Sequence, residues 1–169
     1  MLKKLIHFLG KFLIVLGACM SLPLIIALAY DEKREAWAFL ISIIVCFIIG
    51  IAVDYAFKTQ LEQESLDRRD SYMLVSVAWI VASLVGCIPY MASGIISNFF
   101  LAFFESCSGF TTTGASCLTD IEILPRSILV WRCFSQWLGG MGIIVLFVAL
   151  LPKLGAKAGS ISAAETPGP

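Results

Sequence analysis

Residues 97–116 read Ser-Asn-Phe-Phe-Leu-Ala-Phe-Phe-Glu-Ser-Cys-Ser-Gly-Phe-Thr-Thr-Thr-Gly-Ala-Ser. A short apolar stretch ends in three threonines and a glycine, and the chemistry open to this pattern is the binding of a dehydrated cation. An ion such as potassium sheds water to pass a narrow site, and carbonyl oxygens replace that water. Carbonyls aim at one axis only if the backbone departs from a plain strand, which calls for a positive φ. Gly114 adopts that conformation at no steric cost. The threonines Thr111, Thr112 and Thr113 add hydroxyl oxygens and stiffen the neighbouring backbone. A loop rich in small residues is also common as mere structure, and from the residues alone both readings stand.

The elements around this loop must then hold it at membrane depth. The chain has 169 residues, of which 59% are hydrophobic and 14% charged, with a mean hydropathy of +0.92. A soluble domain carries about 25% charged residues, and a chain this short cannot hide so many apolar side chains. Twelve basic and twelve acidic residues cancel, which leaves no electrostatic footprint for nucleic acid. Charge is absent from residues 12–30, 36–53, 71–104 and 133–152. About 20 apolar residues cross a bilayer, so the first, second and fourth runs each fit one crossing. The first exceeds the roughly 7–15 apolar residues of a signal peptide and reads as an uncleaved helix.

The third run is too long for one crossing and is broken by Pro89, Ser93, Gly94 and Ser97. It divides into a spanning helix over 72–92, a turn, and a half-helix over 98–109. Twelve helical residues rise about 18 Å, roughly half the bilayer. Ser97 or Asn98 can cap its start, and Gly109 lets the chain leave it. A helix that stops at the bilayer centre presents about half a negative charge there, which favours a cation. Non-helical backbone such as 111–115 survives at that depth only where protein covers it or where it lines a watery cavity.

The expected fold is therefore all-α and polytopic. Two leading transmembrane helices occupy 1–58, a cytoplasmic linker 59–71, and a helix–re-entrant loop–helix repeat 72–152, whose last helix covers 127–152. A second cytoplasmic linker, 153–169, is cut short. Eight basic residues flank the spans on the amino-terminal side against four on the other, so the positive-inside rule puts the amino terminus in the cytoplasm. No catalytic constellation appears, and six cysteines without a CxxC pair, together with one histidine, disfavour a zinc site. The chain reads as no enzyme and calls for no cofactor. Cys107 and Cys117 flank the polar turn, but spacing alone does not specify a disulfide.

Several blocks in order carry a family resemblance. Phe104-Glu105, Ser108-Gly109-Phe110-Thr111-Thr112-Thr113-Gly114-Ala115, Leu124-Pro125-Arg126 and Gln136-Trp137-Leu138-Gly139-Gly140-Met141-Gly142-Ile143-Ile144-Val145-Leu146 resemble the first pore repeat of the Trk/Ktr-type potassium-uptake family, nearest the bacterial TrkH kind. Ala164-Glu165-Thr166-Pro167-Gly168-Pro169 resembles the linker that follows it. The resemblance implies four such repeats around one pore, preceded by two extra helices, in a low-affinity-type uptake system of the bacterial inner membrane. It implies potassium as the transported ligand, held by Thr111, Thr112, Thr113 and Gly114, with the ion sites at Thr111 and Thr112. With one repeat, the chain would hold one quarter of a selectivity filter and would be an amino-terminal portion of the transporter. A homodimer and a cytosolic nucleotide-binding regulatory subunit of the TrkA kind are further implied, with lipid as the surrounding partner.

Other residues take supporting roles. Glu105, Gly109 and Ala115 are expected to support the filter. A carboxylate inside the membrane is costly unless paired, and Arg132 or Arg126 is the expected partner of Glu105. Gly139, Gly140 and Gly142 let helices approach closely or bend near a gate. Asp54 reads as an interfacial anchor beside Lys58, His7 as a terminal interfacial residue, and Tyr30, Trp37, Tyr72 and Trp131 as an aromatic belt. Asp120 and Glu122 either raise the local cation concentration or belong to a solvated loop. The competing class is a non-transporting membrane scaffold in which 98–116 is a packed re-entrant hairpin.

Overall fold

The computed structural model describes residues 2–57 and 68–150, and within them every regular element is a helix. In chain order they are α1 (Leu2–Cys19), α2 (Ser21–Ala29), α3 (Lys33–Phe57), α4 (Arg68–Gly86), α5 (Ile88–Ala92), α6 (Phe99–Phe110) and α7 (Arg126–Leu150). Lys58, residues 59–67 of the expected first linker and all of 153–169 lie outside the described residues. Ile6–Ala29, Lys33–Ala56 and Met73–Ala92 are each long and apolar enough to cross a membrane, whereas Phe99–Phe110 is a shorter apolar helix.

Two of the expected continuous helices are broken, and proline explains both. Pro23 has no N–H for the carbonyl four residues back, and its ring crowds that turn. The chain breaks at Met20, between α1 and α2, and the Ser21 hydroxyl donates to Ala18 O at 2.6 Å. Pro89 does the same at Cys87, between α4 and α5. There the indole N–H of Trp131 donates to Gly86 O at 3.1 Å, supplying a carbonyl at the break with a partner.

This contact corrects the reading of Trp131 as an interfacial aromatic. Its side chain is fully buried, edge-on to both Phe39 and Phe110, with ring centroids 6.3 and 6.0 Å away. Met20, Tyr90, Ile96 and Ile128 complete the core around it. Trp37, by contrast, is 65% exposed, as a lipid-facing ring would be. The core therefore joins the leading hairpin (α1 to α3) to the repeat (α4 to α7).

Within the hairpin, α1 and α3 meet on small residues. A Cβ on Gly10 would lie 3.0 Å from Gly50 O, and one on Gly17 would lie 2.8 Å from Cys46 Cβ. Below this seam, His7 Nδ1 stands 3.2 Å from Asp54 Oδ1, close but without hydrogen-bond geometry. Asp54 thus faces the neighbouring helix at His7, while Lys58, beside which it was expected to anchor, lies outside the described residues.

Candidate ion-binding loop

The loop 111–116 is held at both ends by α6. At the start of the helix, Asn98 is extended, and its side-chain oxygen accepts from Phe100 N (2.9 Å) and Leu101 N (3.3 Å). That satisfies two of the donors a helix leaves unpaired at its amino end. At the other end, Thr112 N–H donates to Gly109 O (2.9 Å) and Thr113 N–H to Ser108 O (3.0 Å). These two bonds make a Schellman ending, whose geometry requires a left-handed residue at the Thr112 position. Glycine normally sits there, yet Thr112 takes φ +57°. A non-glycine residue in this region costs roughly 1–2 kcal/mol, and a β-branched one is an outlier. Gly114 follows with φ +76°, so positive φ recurs two residues later. Sequence reasoning assigned positive φ to Gly114 and missed Thr112, because threonine disfavours it.

The hydroxyl protons of Thr111 and Thr113 are directed into the turn. Thr111 Oγ1 donates its single proton to Cys107 O at 2.7 Å. Its 2.9 Å contact with Thr113 Oγ1 must then have Thr113 as the donor. These hydroxyls brace the helix end. Cys107, Ser108 and Gly109 carbonyls are likewise occupied by N–H groups from 111–114. The carbonyls of Thr111, Thr112, Thr113 and Gly114 accept no hydrogen bond among the described residues, and all four residues are exposed. The next one, Ala115 O, accepts from Ser108 Oγ at 2.6 Å. Four free carbonyls therefore lie between two fixed points.

Glu105 fixes the outgoing strand. It is buried, at 3% exposure. Its Oε1 accepts from Arg132 Nε at 2.6 Å, and its Oε2 accepts from Cys117 N at 3.0 Å. The Ser116 hydroxyl lies 3.1 and 3.0 Å from the two oxygens. Arg132, rather than Arg126, is the partner; the Arg126 guanidinium instead sits 4.2 Å over the Tyr30 ring. The enclosure formed by Tyr90, Glu105, Ser108, Ala115, Arg132 and Ser135 has no room for a water molecule. Burial and the neighbouring carboxylate raise the Cys117 thiol above its ordinary pKa. Cys107 and Cys117 are both free thiols. Because Arg132 neutralises Glu105, the carboxylate positions the loop and leaves no net charge facing it. Among the described residues, no group of three or more His, Cys, Asp or Glu side chains gathers into a metal site.

α6 is wedged between α4 and α7 where only glycine fits. A Cβ on Gly86 would come within 2.6 Å of the Phe110 ring and of Ser106 Oγ. One on Gly109 would meet Ser135 Oγ at 2.5 Å, and one on Gly139 would stand 2.0 Å from Phe110 O. Gly142 rests on the Trp79 ring, where a Cβ would lie 2.7 Å away, whereas Gly140 has only Thr112 Cγ2 nearby, at 3.8 Å. Gly139 and Gly142 are thus close-approach positions, and Gly140 is open.

Known proteins share both the sequence and the fold. The family model described as TrkH, a cation transport protein, matches residues 35–169. The Trk system potassium uptake protein TrkH of Salmonella typhimurium is 37% identical over 171 residues, covering 99% of this chain and 34% of that protein. TrkG of Escherichia coli is 35% identical over 164 residues, covering 96% and 33%. The crystal structure of the potassium transporter TrkH from Vibrio parahaemolyticus superimposes with a TM-score of 0.83 at 32% identity, over 97% of this chain and 36% of that one. The chain spans about one third of the length of the curated relatives it matches. It is an all-helical membrane protein, and it belongs to the TrkH family of cation transport proteins.

Proposed function

We propose that this chain forms one wall of a potassium-selective pore, with the carbonyls of Thr111, Thr112, Thr113 and Gly114 as its share of the ion sites. The observation that carries the reading is the run of four unpaired carbonyls at the end of a half-helix. Such backbone is tolerated at membrane depth where it borders a water-filled path, and carbonyl dipoles are what a desolvated monovalent cation needs. The α6 carboxyl end adds partial negative charge. The buried carboxylate behind the loop, Glu105, is paired with Arg132, which leaves carbonyl dipoles to bind the ion and suits passage. The hydroxyls of Thr111 and Thr113 act as braces, so the contribution is main-chain.

A ring of oxygens needs other sides, which the family's further repeats supply. The remaining parts of the proposal follow from membership: a low-affinity uptake system driven by the membrane potential, in the inner membrane of a bacterium, with the amino terminus cytoplasmic. A homodimer and a TrkA-like cytosolic regulator belong to the same proposal. Expression of the full reading frame in cells lacking potassium uptake tests it. Growth at low potassium is expected, with Gly114→Ser weakening it. Rescue that Gly114→Ser leaves untouched would overturn the filter assignment and favour a packed, non-conducting hairpin.

A further inference from the structure

The start of α7 has no cap of its own. The residue before it is Pro125, whose side chain offers no oxygen to the first N–H groups of the helix. Glu32, in the turn between α2 and α3, supplies the cap from 94 residues away. Arg126 N donates to Glu32 Oε1 at 2.7 Å and Ser127 N to Oε2 at 3.1 Å, and the Ser127 hydroxyl also donates to Oε2. Ser127 is fully buried. A carboxylate here also matches the positive end of the helix dipole. Tyr30, two residues before Glu32, carries the Arg126 guanidinium on its ring. One short turn of the leading hairpin thus holds the first two residues of α7.

The loop 111–116 depends on the register of that same helix. Arg132, Ser135 and Gly139 lie along one face of α7, at the three- and four-residue spacings that stack side chains. Arg132 holds Glu105, Ser135 abuts Gly109, and Gly139 lies against Phe110 O. The last contact has no slack, since even a Cβ there would stand 2.0 Å from the carbonyl. Arg132 is six residues from Arg126, about 9 Å along the axis. An axial slip or rotation at the capped end therefore reaches all three contacts through a rigid helix.

We infer that Glu32 is a positioning residue for the ion-binding loop: by capping α7 it sets the height at which Arg132 and Gly139 hold the half-helix. The leading hairpin then tunes ion selectivity as well as anchoring the chain. This rests on the filter reading proposed above.

The test uses the full reading frame and measures the potassium-to-sodium uptake ratio at matched protein amounts in the membrane. Glu32→Ala should lower the ratio severalfold, because α7 loses its tie to the leading hairpin and the loop shifts with it. Adding Pro125→Asp, which caps α7 without tying it to the leading hairpin, should not restore it. Glu32→Gln keeps one acceptor and should fall between, and it serves if Glu32→Ala does not accumulate. An unchanged ratio in Glu32→Gln and Glu32→Ala, or restoration by Pro125→Asp, would overturn the inference. If Gly114→Ser lowers the ratio while the Glu32 variants do not, the filter reading stands and only this inference falls. If Gly114→Ser has no effect, the filter reading falls. Hydrogen exchange at the Cys117 amide, which Glu105 holds, then decides without transport: faster exchange in Glu32→Ala upholds the mechanical link, and unchanged exchange removes it.

Discussion

Neighbouring glycines on α7 should respond in opposite ways to the same methyl group. In a helix interior, Gly→Ala is favourable by about 1 kcal/mol from backbone entropy alone. At Gly140 nothing opposes that gain, because the new Cβ would meet only Thr112 Cγ2, at an ordinary 3.8 Å. At Gly139 the new Cβ would stand 2.0 Å from Phe110 O, 2.7 Å from its carbonyl carbon and 3.1 Å from its Cα. These are backbone atoms and cannot rotate away. Nor can Phe110 retreat, since its ring is packed on Trp131 and faces Gly86. The helices must part by more than an ångström, and overpacking of this kind costs about 1–3 kcal/mol or more. Gly140→Ala is expected to raise resistance to unfolding by about 1 kcal/mol and leave uptake intact. Gly139→Ala is expected to lose about as much stability net, and to disturb uptake more than stability, because the displaced carbonyl belongs to the residue just before the loop. Denaturant unfolding in detergent and potassium uptake in cells measure both. Equal behaviour of the two variants would refute the close-approach argument.

Arg132→Ala leaves the Glu105 carboxylate buried without its partner, so a loss of about 3–5 kcal/mol is expected; unfolding measurements read this directly, and Arg132→Lys should recover only part of it because the guanidinium geometry is lost. Thr112→Gly removes a strain of roughly 1–2 kcal/mol but adds unfolded-state freedom of about 0.5–1 kcal/mol; stability should hold or rise slightly while potassium-over-sodium preference falls, and a stability loss would contradict the strain assignment. The Cys117 thiol has its pKa raised by burial and by Glu105, so less thiolate exists at any pH below that raised value. Glu105→Gln should shift its alkylation-rate profile to lower pH; a profile that stays in place would argue against the carboxylate as a cause.

Much of the architecture was legible because charge-free runs require no tertiary information. The half-helix was legible for the same reason, together with Asn98 as a cap; Gly109, read as its exit, lies inside α6 against Ser135, and the chain leaves the helix through the left-handed Thr112 instead. The kinks at Met20 and Cys87 were less so: Pro23 and Pro89 are visible in the sequence, but whether a proline bends or ends a helix depends on the partners that carbonyls at the break find, as Gly86 O finds Trp131. Trp131 itself fitted an interfacial pattern by position and proved to be core, because its partners Phe39 and Phe110 come from distant segments. The choice of Arg132 over Arg126 for Glu105 is likewise tertiary. Glu32 gave one faint signal, a helix starting after Pro125 with no capping residue, which says that a cap must come from elsewhere but not from where. The left-handed Thr112 runs against its own propensity and could be found only in the fold.

The most direct test is crystallography of the complete transporter soaked with thallium, whose anomalous signal marks potassium sites. Peaks coordinated by the carbonyls of Thr111 through Gly114 are the predicted result. Peaks confined to other parts of the pore, or this stretch turned towards lipid, would contradict the account.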